Sequence, residues 1–204
     1  MFLLAGLIPA LAAVAAAATD ERLLAGDIVA HQSRGDAAGA SAHMELLVRA
    51  PPAAVWAVII SCDLAYAYVD GLQDCEVLED TGPRALVRQV VDQGWLSPTY
   101  AYVFESLRQP HERIDVHLVE GDLRSLDALW IFEETPEGTR VDYELSIQSS
   151  LPAPSFLVRR NLRRGVPDML ACIRGLANGS GSPDRLREDL ARCPGPLPPG
   201  LAAQ

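Results

Sequence analysis

The chain has no lysine. All 17 basic residues among its 204 are arginines, which excludes chemistry built on a Schiff-base lysine or a phosphate-loop lysine. GxGxxG, GxSxG and HExxH are missing as well, and no unit recurs at a fixed period, so dinucleotide-binding, hydrolase-elbow, zincin and solenoid readings fall. Positive charge is scarce: the net charge is −10 at neutral pH. A phosphate-backbone binder needs a broad basic face, so no nucleic-acid partner is expected. There is no CxxC pair and no Cys/His run, and the sequence offers no metal site, no cofactor and no readable catalytic constellation. His31, His43, His111 and His117 are scattered over separate strands and a turn, with His117 in phase with Asp115 on a solvent face.

What is there begins with an apolar leader. Residues 1–18, MFLLAGLIPALAAVAAAA, carry no charged side chain. As a helix they would span about 27 Å, marginal for a bilayer core of about 30 Å. Ala16 and Ala18 occupy the small-residue positions of an A-x-A cleavage site before TDER. The segment reads as a signal peptide over 1–18, with the mature chain starting at Thr19 in a secreted or periplasmic compartment. No basic residue precedes the apolar run, so an N-terminal membrane anchor stands as the alternative. In an oxidising compartment the four cysteines can pair. Proximity favours Cys62–Cys75 and Cys172–Cys193 among three pairings, while Cys62 and Cys172 as plain core residues fit the same sequence.

The chain is 49% hydrophobic and 22% charged, enough for one domain with a sizeable core. GDIVAHQS and SAHMELLVRA read as two strands around the turn-forming RGDAAGA. PPAAVWAVIISCDLAYAYVDGL opens on prolines suited to a helix start and reads as two short helices with a break near Cys62–Asp63. From Asp74 to Gln148 six alternating segments are separated by TGP, SP, PHE, GD and PEG turns, the pattern of an antiparallel meander. LPAPSFLVRRNLRRGVPDMLACIRGLA then switches to helical spacing, with a kink expected near Arg163–Pro167 because proline removes a donor and glycine weakens the helix.

That order, carried by RAPPAAVWAVIISCDLAYAYVDGLQDCEVLED, ALWIFEETPEGTRVDYELSI and LPAPSFLVRRNLRRGVPDMLACIR, resembles the START-like superfamily in its polyketide cyclase/dehydrase and coenzyme Q-binding branch. The resemblance covers roughly residues 23–177. It implies an α+β helix-grip fold: a curved antiparallel sheet around a long C-terminal helix, with two short helices after the first strand. It also implies an internal cavity for an apolar small molecule such as a lipid, quinone or isoprenoid. An aromatase/cyclase-like enzyme and a pocketless interaction domain are the alternatives. Residues 22–177 are expected to form this ligand-binding domain, a monomer, followed by a Gly/Pro-rich tail over 178–204, unstructured apart from a turn at 184–191.

Alternation supplies the candidate lining. Val141, Tyr143, Leu145 and Ile147 share one face, and so do Ala128, Trp130 and Phe132, with Asp127 and Glu133 opposite. Tyr100, Tyr102 and Phe104 are read inward, against Glu105. On the helix, Leu162, Val166, Met169, Leu170 and Ile173 fall on one stripe. The phase of the strand carrying Arg88 and Asp92 is open, and the solvated reading is favoured because an unpaired buried charge is costly. Phe156 and Leu157 beside Arg159, Arg160, Arg163 and Arg164 form a basic helix entrance, read either as a transient contact with an anionic membrane or as a solvated arginine face.

Overall fold

Apolar–polar alternation becomes eight strands in one curved antiparallel sheet. The computed structural model describes residues 17–35, 39–92, 94, 99–150 and 161–199, with Ser149, Asn161 and Leu162 described by backbone alone. The strands are β1 (Val29–Gly35), β2 (Gly39–Val48), β3 (Leu72–Asp80), β4 (Arg84–Val91), β5 (Tyr100–Gln109), β6 (Arg113–Gly121), β7 (Leu123–Thr135) and β8 (Gly138–Ser149). Their order is β1-β2-β8-β7-β6-β5-β4-β3. The last six therefore form the meander, and β2 returns from the start of the chain to pair with β8. That pairing runs without a bulge from Gly39↔Gln148 to Val48↔Thr139.

The β7–β8 connection shows why register is firm here. Gly138 sits at φ +138°, and a Cβ there would meet the Val48 carbonyl oxygen at 2.2 Å. Only glycine fits the turn while β2 passes this close.

Two short helices connect β2 to β3. α1 (Pro52–Ile59) starts on prolines, whose missing N–H groups cost nothing in a first turn. α2 (Cys62–Tyr68) is capped by Ser61, whose hydroxyl accepts from the Leu64 amide at 3.2 Å. The Tyr68 hydroxyl donates to the Ile59 carbonyl at 3.0 Å, binding the two helices together. Cys62 and Cys75 are disulfide-bonded, which ties α2 to β3.

Among the described residues, a π turn, Asn161–Gly165, runs into the terminal helix α3 (Val166–Leu176). Pro167 lies in the first turn of α3, where its missing N–H costs nothing, so the kink expected from a mid-helix proline gives way to a π turn just before it. Val166, Leu170 and Ile173 are buried against the sheet and the two short helices in one core cluster with Val48, Val55 and Val141. At the N-terminal end, residues 17–24 are helical, and Leu23 joins Val29 and Leu47 in a second, small apolar cluster.

The tail differs from expectation. Residues 183–191 are not an isolated turn but a helix, α4 (Pro183–Ala191), capped by Ser182. Asp189 on α4 is fully buried and accepts two bonds from the Arg174 guanidinium, at 2.8 and 2.7 Å. Ser180 Oγ donates to the same carboxylate at 2.7 Å, and Arg174 Nη1 donates to the Gly26 carbonyl at 2.9 Å. Cys172 and Cys193 form the second disulfide. One buried ion pair and one covalent bond thus dock this polar segment on α3, although its composition resembles a linker.

Candidate functional site

The inner face of the sheet carries its aromatic side chains in two groups. Trp130, Phe132, Val141, Tyr143 and Val166 are all at most 8% exposed. The Trp130 and Tyr143 rings lie 4.0 Å apart, on paired residues of β7 and β8, and Phe132 meets Trp56 of α1 edge to face at 5.9 Å. The second group runs along β5. Tyr100 stacks on Tyr102 at 5.9 Å, and Tyr102 lies 6.2 Å from Phe104. These three are half-buried, as are Leu145 and Met169.

Burial falls in one direction. Along β8 it goes from Val141 and Tyr143, both buried, to Leu145 and Ile147, both half-buried; along β7 from Phe132 and Trp130 to Ala128 and Leu126; along β6 from Ile114 to Val116 and Leu118. Register puts the less buried ends together: Leu126 pairs with Ile147, Ala128 with Leu145 and Val116, and Phe104 with Leu118. Among the described residues, the inner faces of β6, β7 and β8 thus run from buried to half-buried, while β4 stays buried as far as Val91.

β4 takes the phase that keeps its charges in water. Ala85, Val87, Gln89 and Val91 are buried, while Arg88 reaches outward to Asp74 at 2.7 Å and Asp92 is exposed. Gln89 is the residue the sequence reading missed. It is 8% exposed, accepts from the Tyr102 hydroxyl at 2.7 Å and directs its amide toward Cys75 Sγ at 3.8 Å. A polar residue between Val87 and Val91 is the one signal that marked it, since a glutamine inside needs a partner on the same face.

The inner hydroxyls stay protonated. Burial pushes Tyr68, Tyr102 and Tyr143 well above the usual phenol range. Tyr100 is pushed up to about 12, by burial first and then by the Asp70 carboxylate. At neutral pH these groups donate and accept hydrogen bonds without exchanging charge.

The remaining candidate positions divide in two. Arg163 and Arg164 are exposed. Phe156, Leu157, Arg159 and Arg160 lie outside the described residues, and so does the Leu162 side chain.

On the opposite, outer face of the sheet the register gathers groups that are far apart in sequence. His43 Nε2 lies 3.0 Å from Asp142 Oδ2, His31 Nε2 lies 2.6 Å from Glu45 Oε2, and the two imidazole rings are 4.8 Å apart. The histidines are therefore not all scattered. A groove of about 320 Å³ opens beside them, lined in part by Gln32, His43, His117, Asp127 and Glu144.

Comparison with known proteins places this geometry. Residues 48–174 match the family model described as "Polyketide cyclase / dehydrase and lipid transport". The chain belongs to that family. No curated protein matches it in sequence.

Solved structures share the helix-grip fold of this family at low identity. The STAR-related lipid transfer protein from Xanthomonas axonopodis aligns with a TM-score of 0.61 at 12% identity, over 74% of this chain and 92% of that one. The Zhui aromatase/cyclase from Streptomyces sp. R1128 gives 0.52 at 18%, over 75% and 98%. TTHA0849 from Thermus thermophilus gives 0.53 at 21%, over 74% and 97%. These likenesses fix the START-like architecture. Within it, the family member described here keeps an aromatic inner face, two disulfides and a docked α4.

Proposed function

We propose that this domain is exported and binds an apolar small molecule, such as a lipid, quinone or isoprenoid, between the inner face of the sheet and the terminal helix. The observation that carries the reading is the fall from buried to half-buried apolar side chains among the described residues of that face, where the β5 aromatics and Leu145 lie, with Met169 of α3 also half-buried. Aromatic bodies with hydroxyl tips suit a ligand that is mostly hydrocarbon with one polar end. Tyr100, Tyr102, Phe104, Leu145, Val166 and Met169 would touch the ligand, with Trp130, Phe132, Val141 and Tyr143 as the floor.

An aromatase/cyclase-like reaction needs inward groups that move protons near neutral pH. The inward tyrosines are pushed away from that range, and the paired histidines His31 and His43 sit on the outer face. Binding and transfer by burial fit these groups better. Two disulfides support an oxidising compartment, and with it the removal of residues 1–18. Exposed Arg163 and Arg164 support a transient contact with anionic lipid during loading.

The test is titration with an environment-sensitive apolar probe. One site per chain is expected, with Leu145→Trp weakening it while the domain stays folded. No probe binding, together with the roughly 1–3 kcal/mol destabilisation typical of overpacking, would mean a filled interior. N-terminal sequencing of exported protein checks the leader, with Thr19 as the expected first residue.

A further inference from the structure

The outer-face cluster owes its existence to strand register. His43 on β2 pairs with Glu144 on β8, and Asp142, two residues earlier, lies on the same face. Donor atoms of His43, Asp142 and Glu144 all lie within 4.8 Å of one another. A bulge in β1 between Ala30 and Gln32 adds to it. It leaves His31 as the extra residue, turned toward the His43 ring, as bulges commonly re-aim a side chain.

The neighbouring arginines hydrogen-bond to other carboxylates. Arg140 is engaged by Glu45, at 3.0 Å, and by Asp20, at 3.0 Å. Arg113 is bidentate to Asp115. His31 is bonded to Glu45. Glu144 and His43 line the open groove, and Asp142 Oδ2 meets the His43 ring at 3.0 Å.

We propose that His43, Asp142 and Glu144 bind a divalent first-row transition cation on the outer face of the sheet, leaving its remaining positions to water from the groove. One imidazole nitrogen and two carboxylate oxygens are a donor set for zinc-like ions rather than for calcium. Three donors at about 2.1 Å from a common ion stand roughly 3.0–3.5 Å apart. The 4.8 Å spread closes to that by side-chain rotation, chiefly of the exposed Glu144. All four cysteines are in disulfides and do not compete.

The experiment is calorimetric titration of Zn²⁺ into untagged, chelator-washed protein at neutral pH, with Co²⁺ substitution read by visible absorption. One Zn²⁺ per chain is expected. His43→Gln and Glu144→Gln should each weaken binding roughly tenfold or more, while His117→Gln, at the far side of the groove, should leave it unchanged. Circular dichroism of each variant separates lost ligation from lost fold, and Asp142→Asn serves if His43→Gln does not fold. Absence of saturable Zn²⁺ binding in the parent, or equal binding by the parent and a folded His43→Gln variant, would overturn the proposal.

Discussion

Tyr102 and Gln89 face each other across the β4–β5 ladder, and the tyrosine hydroxyl donates to Gln89 Oε1 at 2.7 Å. This polar pair lies on the inner face, beside the aromatics of β5. Its worth depends on both partners being present, because each alone would be a polar group facing an apolar interior.

Tyr102→Phe should therefore destabilise the unliganded domain by about 1–2 kcal/mol, the cost of leaving the Gln89 oxygen without its donor. Adding Gln89→Leu should recover part of that loss. Urea unfolding of the two single variants and the double gives the coupling directly. Strict additivity would mean that the two side chains act independently.

Arg174 and Asp189 are expected to behave as one unit. Asp189→Ala leaves a guanidinium that is 2% exposed without its carboxylate, and loss of one partner from a buried pair costs about 3–5 kcal/mol. Arg174→Met with Asp189→Leu should be much less damaging than either single loss, because no charge is left stranded. Chemical denaturation monitors all three.

Asp80 gives the domain part of its acid sensitivity. Its carboxylate accepts from the Gly82 amide and from Arg108, whose own side chain is only 5% exposed. These bonds, the amide first, hold the folded pKa below the usual carboxylate value. The contribution is thus complete above the unfolded pKa of about 3.9 and is lost as pH falls through the lower folded value. Parent and Asp80→Asn should differ in melting temperature at about pH 5 and converge toward about pH 2. A gap independent of pH would assign the effect to something other than ionisation.

The sheet was the most legible part of the molecule, and particular residues show why. Asp127 and Glu133 cannot face a core without partners, so they fix the phase of Trp130 and Phe132 between them. Gly138 and the PEG turn fix where β7 ends. Gln89 was hidden because periodicity reports where apolar residues point and does not mark a polar residue sharing their face. α4 was misread for a similar reason: composition averages over a segment, whereas one Asp189–Arg174 pair, 15 residues apart, decides whether it docks. The meeting of His31 with His43 depends on a bulge, and no sequence period encodes one. The cysteine pairs nearest in sequence are the pairs bonded in the structure.

The central claim is that the inner face holds an apolar ligand. Native mass spectrometry of protein purified from its producing cell, with organic extraction and identification of what is released, tests this most directly. The account predicts one apolar molecule per chain, bound by the parent and depleted in a folded Leu145→Trp variant. Protein that carries no such mass, and takes up none when exposed to the extracted lipids of its host, would contradict it.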